Sequence, residues 1–233
     1  MLRVDSFVVP QTRSAGRLPA LRLARRRLAP LRPIAKRGLD ILGAASLLLV
    51  LAPFFLVIAA LVKRDGGPVF FAHQRVGRGG ARFGCLKFRS MVPDAAERLA
   101  ALLASSAAAR AEWETTQKLR HDPRVTWVGR FLRASSLDEL PQLINVLRGE
   151  MSLVGPRPVL ASELETYYGA AAAHYLSVRP GITGLWQVSG RSDTTYAERV
   201  ALDVAYATRP SLMADLGILL RTPAAVLARR GAY

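Results

Sequence analysis

An uncharged apolar run dominates the hydropathy pattern of the first third of the chain. Residues 41–62 read ILGAASLLLVLAPFFLVIAALV, and none of these 22 residues carries a charge. As a helix the run would be about 33 Å long, which is enough to cross a hydrocarbon core of about 30 Å. A signal peptide has a shorter apolar stretch, and a core helix of a soluble protein is rarely this long and apolar. The pattern therefore predicts a membrane helix.

Two topologies are open for this helix. Basic pairs flank it on both sides, at 36–37 and 63–64, so positive charge gives no orientation to a single span. Pro53 lies near the middle, where it removes one helix hydrogen bond and kinks the axis. A kinked helix that enters and leaves on the same face accounts for both features, yet proline is also common in true spans. The residues alone leave re-entrant and spanning topologies equally open.

Two short segments with the length of strands follow the apolar run. They read PVFFAHQRV and ARFGCLKFRSM, and the glycines of the intervening GRGG suit a tight turn. We therefore predict a β-hairpin. Lys87 and Arg89 share one face of an extended second segment, where they could hold a diphosphate. A solvated basic strand face is the simpler explanation of these two cations taken alone.

Helical periodicity returns in the second half of the chain. We predict a helix over 94–120, a short helix over 125–132 that delivers Arg133, and a further helix over about 136–147. Residues 194–230 predict two or three amphipathic helices that could lie in the membrane interface. The whole pattern predicts a mainly helical α+β fold with one small hairpin.

Two adjacent carboxylates stand out in the stretch SSLDELPQ. Asp138 and Glu139 fall in the first turn of the helix predicted over 136–147, with Ser135 or Ser136 as its cap. Acidic residues are common at helix starts because they complement the helix dipole. A carboxylate held ionised there also suits a nucleophile or a metal ligand. The neighbouring residues must decide between these interpretations.

A rigid loop follows in the stretch MSLVGPRPV. Pro156 and Pro158 forbid helix around Arg157, so that its side chain is presented from a stiff, non-helical segment. A surface turn would have the same composition. The next distinctive stretch, RPGITGLWQVSGR, brings glycine turns beside Trp186 and is a candidate wall for a polar ligand.

The net charge of the chain indicates what kind of partner it binds. The chain holds 33 Lys and Arg against 17 Asp and Glu, a net +16, which indicates nucleic acid, anionic lipid or a phosphorylated substrate. Residues 1–35 are basic and proline-rich and predict an arm on a membrane surface, with a solvated tail or a transit-type peptide as alternatives. The single cysteine, Cys85, excludes an intrachain disulfide and is expected to be a buried thiol.

From Lys36 onward the chain resembles the monotopic phosphoglycosyl transferases, the bacterial sugar transferases that start exopolysaccharide and glycan assembly. The resemblance covers about 200 of 233 residues, in the family's order. It is carried by KRGLDILGAASLLLVLAPFFLVIAALVK, GPVFFAHQRVG, CLKFRSM, LRASSLDELPQLINVLRGEMSLVGPRP, RPGITGLWQVSGR and DLGILLRT. It implies a re-entrant membrane helix over 36–64 and a catalytic domain over 65–233 at the membrane interface, and the predicted basic arm over 1–35 falls outside it.

The resemblance also implies a mechanism. Asp138 matches the family's nucleophile, which attacks the sugar-bearing phosphate of a UDP-sugar, so that UMP leaves and a covalent aspartyl phosphosugar remains. A polyprenol phosphate carrier then attacks that intermediate. Glu139 matches the second acid of the dyad, a base or a group that shapes a Mg²⁺ site together with Asp138. Lys87, Arg89 and Arg133 match cations near the phosphates.

Further implications concern the uridine site and the membrane. Pro156, Arg157 and Pro158 match the uridine-site loop, and Pro53 matches the kink of the re-entrant helix. Ala52 stands where the family often has serine, which removes a hydroxyl that could satisfy the freed backbone carbonyls. The resemblance places the enzyme on the cytoplasmic face of the bacterial inner membrane, in contact with membrane lipids. Exposed apolar helices add the expectation of a homodimer.

Two other classes of protein are disfavoured. A nucleic-acid-binding protein would explain the charge, but it does not explain the uncharged run, and no binding-module signature is present. A non-catalytic membrane scaffold does not explain the acidic pair. The sugar itself is not readable from the sequence, where galactose, glucose and N-acetylated sugars stay open.

Overall fold

The computed structural model describes residues 31–116, 118–190 and 194–227. Most of the predicted basic arm, residues 1–30, lies outside the described residues. The described helices are α1 (Leu31–Lys63), α2 (Ala95–Ser105), α3 (Ala107–Thr116), α4 (Trp127–Ser135), α5 (Gln142–Arg148), α6 (Ala172–Ser177), α7 (Leu185–Ser189), α8 (Tyr196–Thr208) and α9 (Leu212–Leu227). The strands are β1 (Phe70–Val76), β2 (Arg82–Phe88), β3 (Ser152–Val154) and β4 (Gly181–Thr183). The predicted mainly helical α+β class is confirmed.

Short helical turns complete the description. Turns of the 3₁₀ type cover Arg78–Gly80, Leu137–Glu139 and Gly169–Ala171, and Ala161–Glu163 is followed by a π-helical turn at Leu164–Tyr168. The strands form two small sheets. β1 and β2 are antiparallel, with Phe71 opposite Lys87, and β3 and β4 are parallel, with Val154 opposite Thr183.

Helix α1 is long, apolar and largely uncovered. It runs for 33 residues and contains Pro53, which is exposed. Leu49, Val50 and Leu56 are each at least 70% exposed, and leaving so much apolar area in water is unfavourable. Within the described residues, Pro33–Lys63 is the one helix long and apolar enough to cross a membrane.

The first part of α1 is held to the following domain by polar contacts. Arg37 donates from Nη2 to the Leu147 carbonyl at 2.9 Å. Asp40, only 1% exposed, accepts from Ser152 Oγ at 2.9 Å and from the Leu153 amide at 3.0 Å. An acidic side chain is stable there because these donors replace water.

The last turns of α1 pack against the same domain through an apolar cluster. Ile58 and Val62 lie with Phe88 of β2 and with Val128 and Leu132 of α4. Both ends of the helix are therefore attached to one folded body, while its middle is exposed.

The hairpin forms where it was predicted, because its turn has the glycines it needs. Gly79 and Gly80 have φ of 68° and 84°, which glycine adopts without steric cost. Asn145 of α5, which is fully buried, accepts from the Leu86 amide at 3.0 Å and donates to the Gly84 carbonyl at 2.8 Å. This amide docks α5 against β2.

Two helix predictions need correction. The helix predicted over 94–120 is interrupted at Ser106, which has the extended values φ −128° and ψ 109°. The helix predicted over about 136–147 begins only at Gln142, although it ends before Gly149 as the glycine there indicated. Ahead of it lies the 3₁₀ turn Leu137–Glu139.

The predicted serine caps are also wrong. Ser135 belongs to α4 and donates from Oγ to the Phe131 carbonyl at 2.7 Å. Ser136 ends α4 in the left-handed conformation, with φ 59°, and its side chain makes no capping bond. The sharp turn at Ser136, and not a capped helix start, sets the direction of the acidic pair.

Three glycines let the parallel strand pair come close to the loop that follows β3. The Gly155 amide donates to the Thr183 carbonyl at 2.9 Å. A Cβ on Gly181 would lie 2.1 Å from the Gly155 nitrogen, and a Cβ on Gly184 would lie 2.1 Å from the Gly155 carbonyl oxygen. Neither contact is sterically allowed, so the glycines hold the stretch GPRP beside RPGITG. Helices α8 and α9 then complete the fold, as predicted for 194–230 within the described residues.

Candidate active site

Lys87 is held between the two adjacent carboxylates. Its Nζ lies 3.3 Å from Asp138 Oδ2 and 2.7 Å from Glu139 Oε1. The lysine comes from β2 and the acids come from the 3₁₀ turn, which packs against that strand. The structure therefore brings together three residues that the sequence singled out separately.

The two acids differ in exposure. The Asp138 side chain is 10% exposed and that of Glu139 is 29% exposed. Leu137 and Leu140 anchor the turn by packing on the apolar cluster that contains Phe88. The apolar residues of the turn thus fix it to the domain, and the carboxylates of Asp138 and Glu139 keep part of their surface exposed.

Their protonation behaviour differs as well. Burial raises the pKa of Asp138, and the neighbouring charge of Glu139 adds to this rise, so that the charge of Lys87 does not cancel it. Burial also acts to raise the pKa of Glu139, but the charges of Lys87 and Arg157 outweigh it and the pKa is lowered. Burial and neighbouring charge therefore move the two carboxyl pKa values in opposite directions, up for Asp138 and down for Glu139.

Lys87 stays charged in this setting. Burial by itself would lower the pKa of Lys87, but Glu139 and Asp138 raise it above its ordinary value. The site therefore holds the positive charge of Lys87 against the two carboxylates of Asp138 and Glu139. An incoming phosphate would compete with these carboxylates for the lysine.

The charge of Arg133 reaches the acidic pair. Its Nε donates to Ser90 Oγ at 2.9 Å, and its charge acts to lower the pKa of Asp138. Thr126 caps α4 by accepting from the Gly129 amide at 2.9 Å. A Cβ on Gly129 would lie 1.9 Å from the Ser90 carbonyl oxygen, so glycine is required for α4 to approach this closely.

Arg89 is not available to a phosphate in this structure. It is 8% exposed, and its guanidinium group makes two bonds to the Asp65 carboxylate, the Nη1 bond being 2.8 Å long. It also donates to the carbonyls of Pro68 at 2.6 Å, Met91 at 2.6 Å and Val62 at 3.0 Å. All five N–H donors are used. These bonds leave Arg89 no free donor for the phosphate-binding face that was predicted to be shared with Lys87.

The loop around Arg157 is non-helical, as its prolines predicted. Pro156 and Pro158 are buried, and the Arg157 guanidinium lies over the Trp186 ring, 5.7 Å from its centroid. Its charge acts on the pKa of both Glu139 and Lys87. Arg157 therefore interacts both with the acidic pair, through its charge, and with the aromatic wall predicted at Trp186, through its guanidinium group.

Two residues that position the site were not recognised from the sequence. Asp65 holds Arg89, but it lies 24 residues away in sequence and carried no motif. Asn145 fixes α5 to the strand of Lys87, and its signal was present, since it is a lone amide within the apolar stretch LINVL. Such an amide, buried among apolar residues, must find partners.

The acidic pair fits a magnesium ion. Within the described parts of the chain, no three His, Cys, Asp or Glu side chains lie together as a ligand set. Asp138 and Glu139 would supply two carboxylate ligands. One or two carboxylates completed by substrate phosphates are what Mg²⁺ takes in phosphoryl-transfer sites.

Comparison with known proteins places the chain. A family model described as bacterial sugar transferase matches residues 31–229. The chain belongs to the bacterial sugar transferase family. Membership confirms the resemblance seen in the sequence and the prediction that the chain is a phosphoglycosyl transferase.

Individual proteins are similar to this chain over most of its length. The exopolysaccharide production protein ExoY of Sinorhizobium fredii is 50% identical over 229 residues, covering 98% of this chain and 96% of that one. The undecaprenyl-phosphate galactose phosphotransferase of Salmonella typhimurium is 52% identical over 85% of this chain and 41% of its own length. The UDP-glucose:undecaprenyl-phosphate glucose-1-phosphate transferase of Caulobacter vibrioides is 43% identical over 86% of this chain and 72% of its own.

Proposed function

We propose that this chain transfers a sugar 1-phosphate from a UDP-sugar to a polyprenol phosphate carrier through a covalent aspartyl intermediate, releasing UMP. The transfer would be the first step in assembling an exopolysaccharide or related glycan. One observation carries the proposal, namely that Lys87 is held by Asp138 and Glu139 with Arg157 within electrostatic reach. The names of the Salmonella and Caulobacter relatives support the donor and the carrier.

In the first step, a carboxylate oxygen of Asp138 forms a bond to the phosphorus that bears the sugar. The bond from that phosphorus to the UMP oxygen breaks, and UMP leaves with the electron pair. Lys87 would turn from the carboxylates to the oxygens of the incoming diphosphate, which carries one negative charge on each phosphate. The raised pKa of Asp138 favours attack, since a more basic carboxylate is a better nucleophile while it remains ionised.

In the second step, an oxygen of the polyprenol phosphate attacks the same phosphorus. The bond to Asp138 breaks and the carboxylate is regenerated. A phosphate acceptor already carries negative charge, so little is needed from a general base. The lowered pKa of Glu139 also makes it a weak base, and of the two predicted roles it favours the metal-shaping one.

We propose that Asp138 and Glu139 hold the Mg²⁺ that this chemistry calls for. The bound ion would spread the charge that develops on the transferred phosphate. Arg133 and Lys87 would act on the same oxygens from the protein side, with Arg133 reorienting from Ser90.

We propose that α1 is re-entrant and that the domain lies on the cytoplasmic face of the inner membrane. A helix that crosses a bilayer has its ends on opposite sides. Here Asp40 near one end and Val62 near the other contact the same folded body. A spanning α1 would require that body to lie within the membrane as well, which the polar contacts of Arg37 and Asp40 disfavour.

Topology is tested by labelling single cysteines in a Cys85→Ser background. Positions Ala35 and Arg64 are exposed, and neither carries the contacts of Asp65. We expect an impermeant maleimide to label neither site in spheroplasts with the periplasmic face outward and both sites in inverted vesicles. Labelling of one site from each side would mean a span.

The transfer itself is tested by UMP release from a panel of UDP-sugars with undecaprenyl phosphate in detergent. We expect release with UDP-galactose or UDP-glucose, the donors suggested by the relatives' names, and loss of release in Asp138→Asn. The exposed Asp94 supplies the matched control Asp94→Asn, which should be fully active. Release that is unchanged in Asp138→Asn would refute the proposal.

A further inference from the structure

Arg199 is a buried cation with unused hydrogen-bond donors. It lies in α8 and is 7% exposed. Its Nε and Nη2 are buried and have no hydrogen-bond partner in the part of the chain that the structure describes. Burying charged donors without acceptors is strongly unfavourable. Such an arrangement is stable when ordered water or a bound ligand supplies the missing acceptors.

Aromatic rings hold the guanidinium in place without satisfying it. Its central carbon lies 4.9 Å from the centroid of the Trp186 ring and 4.9 Å from that of Tyr196. Cation–π contacts of this kind stabilise the charge and fix the plane of the group. They accept through the ring faces, and the in-plane N–H groups still lack oxygen partners.

Two carboxylates on which the charge of Arg199 acts, those of Glu163 and Asp203, have other hydrogen bonds. Glu163 accepts from Arg75 at 3.1 Å, and Asp203 accepts from Tyr168 at 2.7 Å. Burial raises the pKa of Asp203 to about 6, although the charge of Arg199 acts against this rise. The charge of Arg199 therefore acts on both carboxylates, and neither of them accepts a hydrogen bond from Nε or Nη2 of Arg199.

The missing partner has a definite shape. Nε and Nη2 lie on one edge of a guanidinium group, where their N–H bonds run parallel and match two oxygens of one anion. Arg157 lies over the same Trp186 ring that Arg199 contacts, and the charge of Arg157 reaches Glu139. Arg199 thus shares the Trp186 ring with Arg157, and the charge of Arg157 acts on Glu139 of the acidic pair.

We propose that Arg199 is a substrate-binding residue that takes the nucleotide-side phosphate of the UDP-sugar, the phosphate that remains on UMP. This inference rests on the proposed function. A UDP-sugar with a neutral sugar has two anionic groups. Asp138 attacks the phosphate that bears the sugar, which leaves the other phosphate as the two-oxygen anion for Arg199. Binding there would also hold UMP while the bond to it breaks.

The test compares ligands with and without that phosphate on the full chain in detergent. Titration calorimetry with uridine, UMP and UDP is run on wild type, Arg199→Gln and Arg199→Lys. We expect Arg199→Gln to weaken UMP and UDP binding roughly 10- to 100-fold, the scale of a lost charge-assisted pair, and to leave uridine binding unchanged. Arg199→Lys should fall between, because it keeps the charge and loses the fork.

Two further variants keep the test sharp. Arg209→Gln, exposed just beyond the end of the same helix, should bind UMP as wild type does. Arg199→Met keeps a long side chain between the two rings and serves if the glutamine variant does not fold. Its ligand-free melting temperature should match or exceed that of wild type, because an unpaired buried charge has been removed, while the stabilisation by UMP should be lost.

The contrary outcomes are distinct. Equal losses for uridine and UMP, together with a lower ligand-free melting temperature, would make Arg199 a purely structural residue and overturn the proposal. Weaker binding of UDP-sugar with unchanged UMP binding would place Arg199 at the sugar and also overturn it. A wild-type protein that neither binds UMP nor releases it from any UDP-sugar would refute the proposed function, and this inference would fall with it.

Discussion

Two cations separated by one residue, Lys87 in β2 and Arg89 just beyond its end, have opposite surroundings. Lys87 has a 26% exposed side chain and faces two carboxylates that are adjacent in sequence. Arg89 is 8% exposed, and one carboxylate and three backbone carbonyls use all of its donors. Each is a cation paired with acid, and their sequence context is nearly the same.

The two cations differ in whether all of their hydrogen-bond donors are already used. The Arg89 group has no donor left, and any new partner would have to break a bond inside the protein first. At Lys87, one ammonium group serves two acids, and a phosphate that enters can take over its bonds. A saturated buried pair is therefore expected to support the fold, and an unsaturated, half-exposed one to support chemistry.

The largest expected effect is on turnover, at the unsaturated cluster. Lys87→Met should lower kcat/KM by about 10²–10³, the scale of removing one group that stabilises charge in a transition state. The melting temperature should change little, because the lysine is part-exposed. The exposed Arg82→Met, on the same strand as Lys87, supplies the control and should be neutral. Steady-state UMP release and thermal unfolding measure the two quantities, and a large loss of stability in Lys87→Met would contradict the comparison.

A loss of turnover of comparable size is expected at Glu139. Glu139→Gln is expected to lower turnover by about 10²–10⁴, the range for losing a general base or a preorganising group. A metal-shaping role further predicts that the loss shrinks as Mg²⁺ concentration rises. A rate measured across a magnesium titration distinguishes the two roles, since a lost base is not rescued by more metal.

The reverse behaviour is expected at the saturated cluster. Arg89→Met should lower the free energy of unfolding by about 3 kcal/mol, because it leaves Asp65 and three carbonyls without their donor. Turnover per folded molecule should be nearly unchanged. The exposed pair Arg98–Asp94, at 2.9 Å, is a matched control, and Arg98→Met should cost less than about 1 kcal/mol. Unfolding by urea in detergent gives these values; a folded but inactive Arg89→Met would return Arg89 to the phosphate site.

The smallest effect is a shift in pH dependence. Asp138 must be ionised to attack, and burial raises its pKa, so kcat/KM should fall on the acid side at a pH above the ordinary pKa of an aspartate. Lys87 acts to lower that pKa. In Lys87→Met the acid limb of the residual activity should therefore move to higher pH. A limb that moves to lower pH would mean that a different group controls it.

Local chemistry made several features predictable. The hairpin follows from the glycines of GRGG, the end of α5 follows from Gly149, and the non-helical segment around Arg157 follows from its two prolines. Each is decided by residues within a few positions of the feature. The acidic pair and Lys87 could also be singled out, since both belong to the motifs that resemble the family.

Long-range contacts account for what was missed. Lys87 and Arg89 are distinguished by Asp65, which reaches Arg89 across 24 residues. The left-handed turn at Ser136 is held by packing of Leu137 and Leu140 on the apolar cluster, and no local signal favours it in a serine. The unused edge of Arg199 depends on two rings and on carboxylates that have other partners. None of these is a property of a short stretch of sequence.

The covalent intermediate is the central claim, and intact-protein mass spectrometry tests it most directly. The protein is incubated with UDP-sugar and Mg²⁺ without carrier lipid and quenched in acid, because acyl phosphates hydrolyse readily. The account predicts a mass increase of one hexose phosphate, located at Asp138, one UMP released per site, and neither in Asp138→Asn. Absence of the adduct, with UMP release that strictly requires the lipid, would mean direct transfer and would make Asp138 a metal ligand.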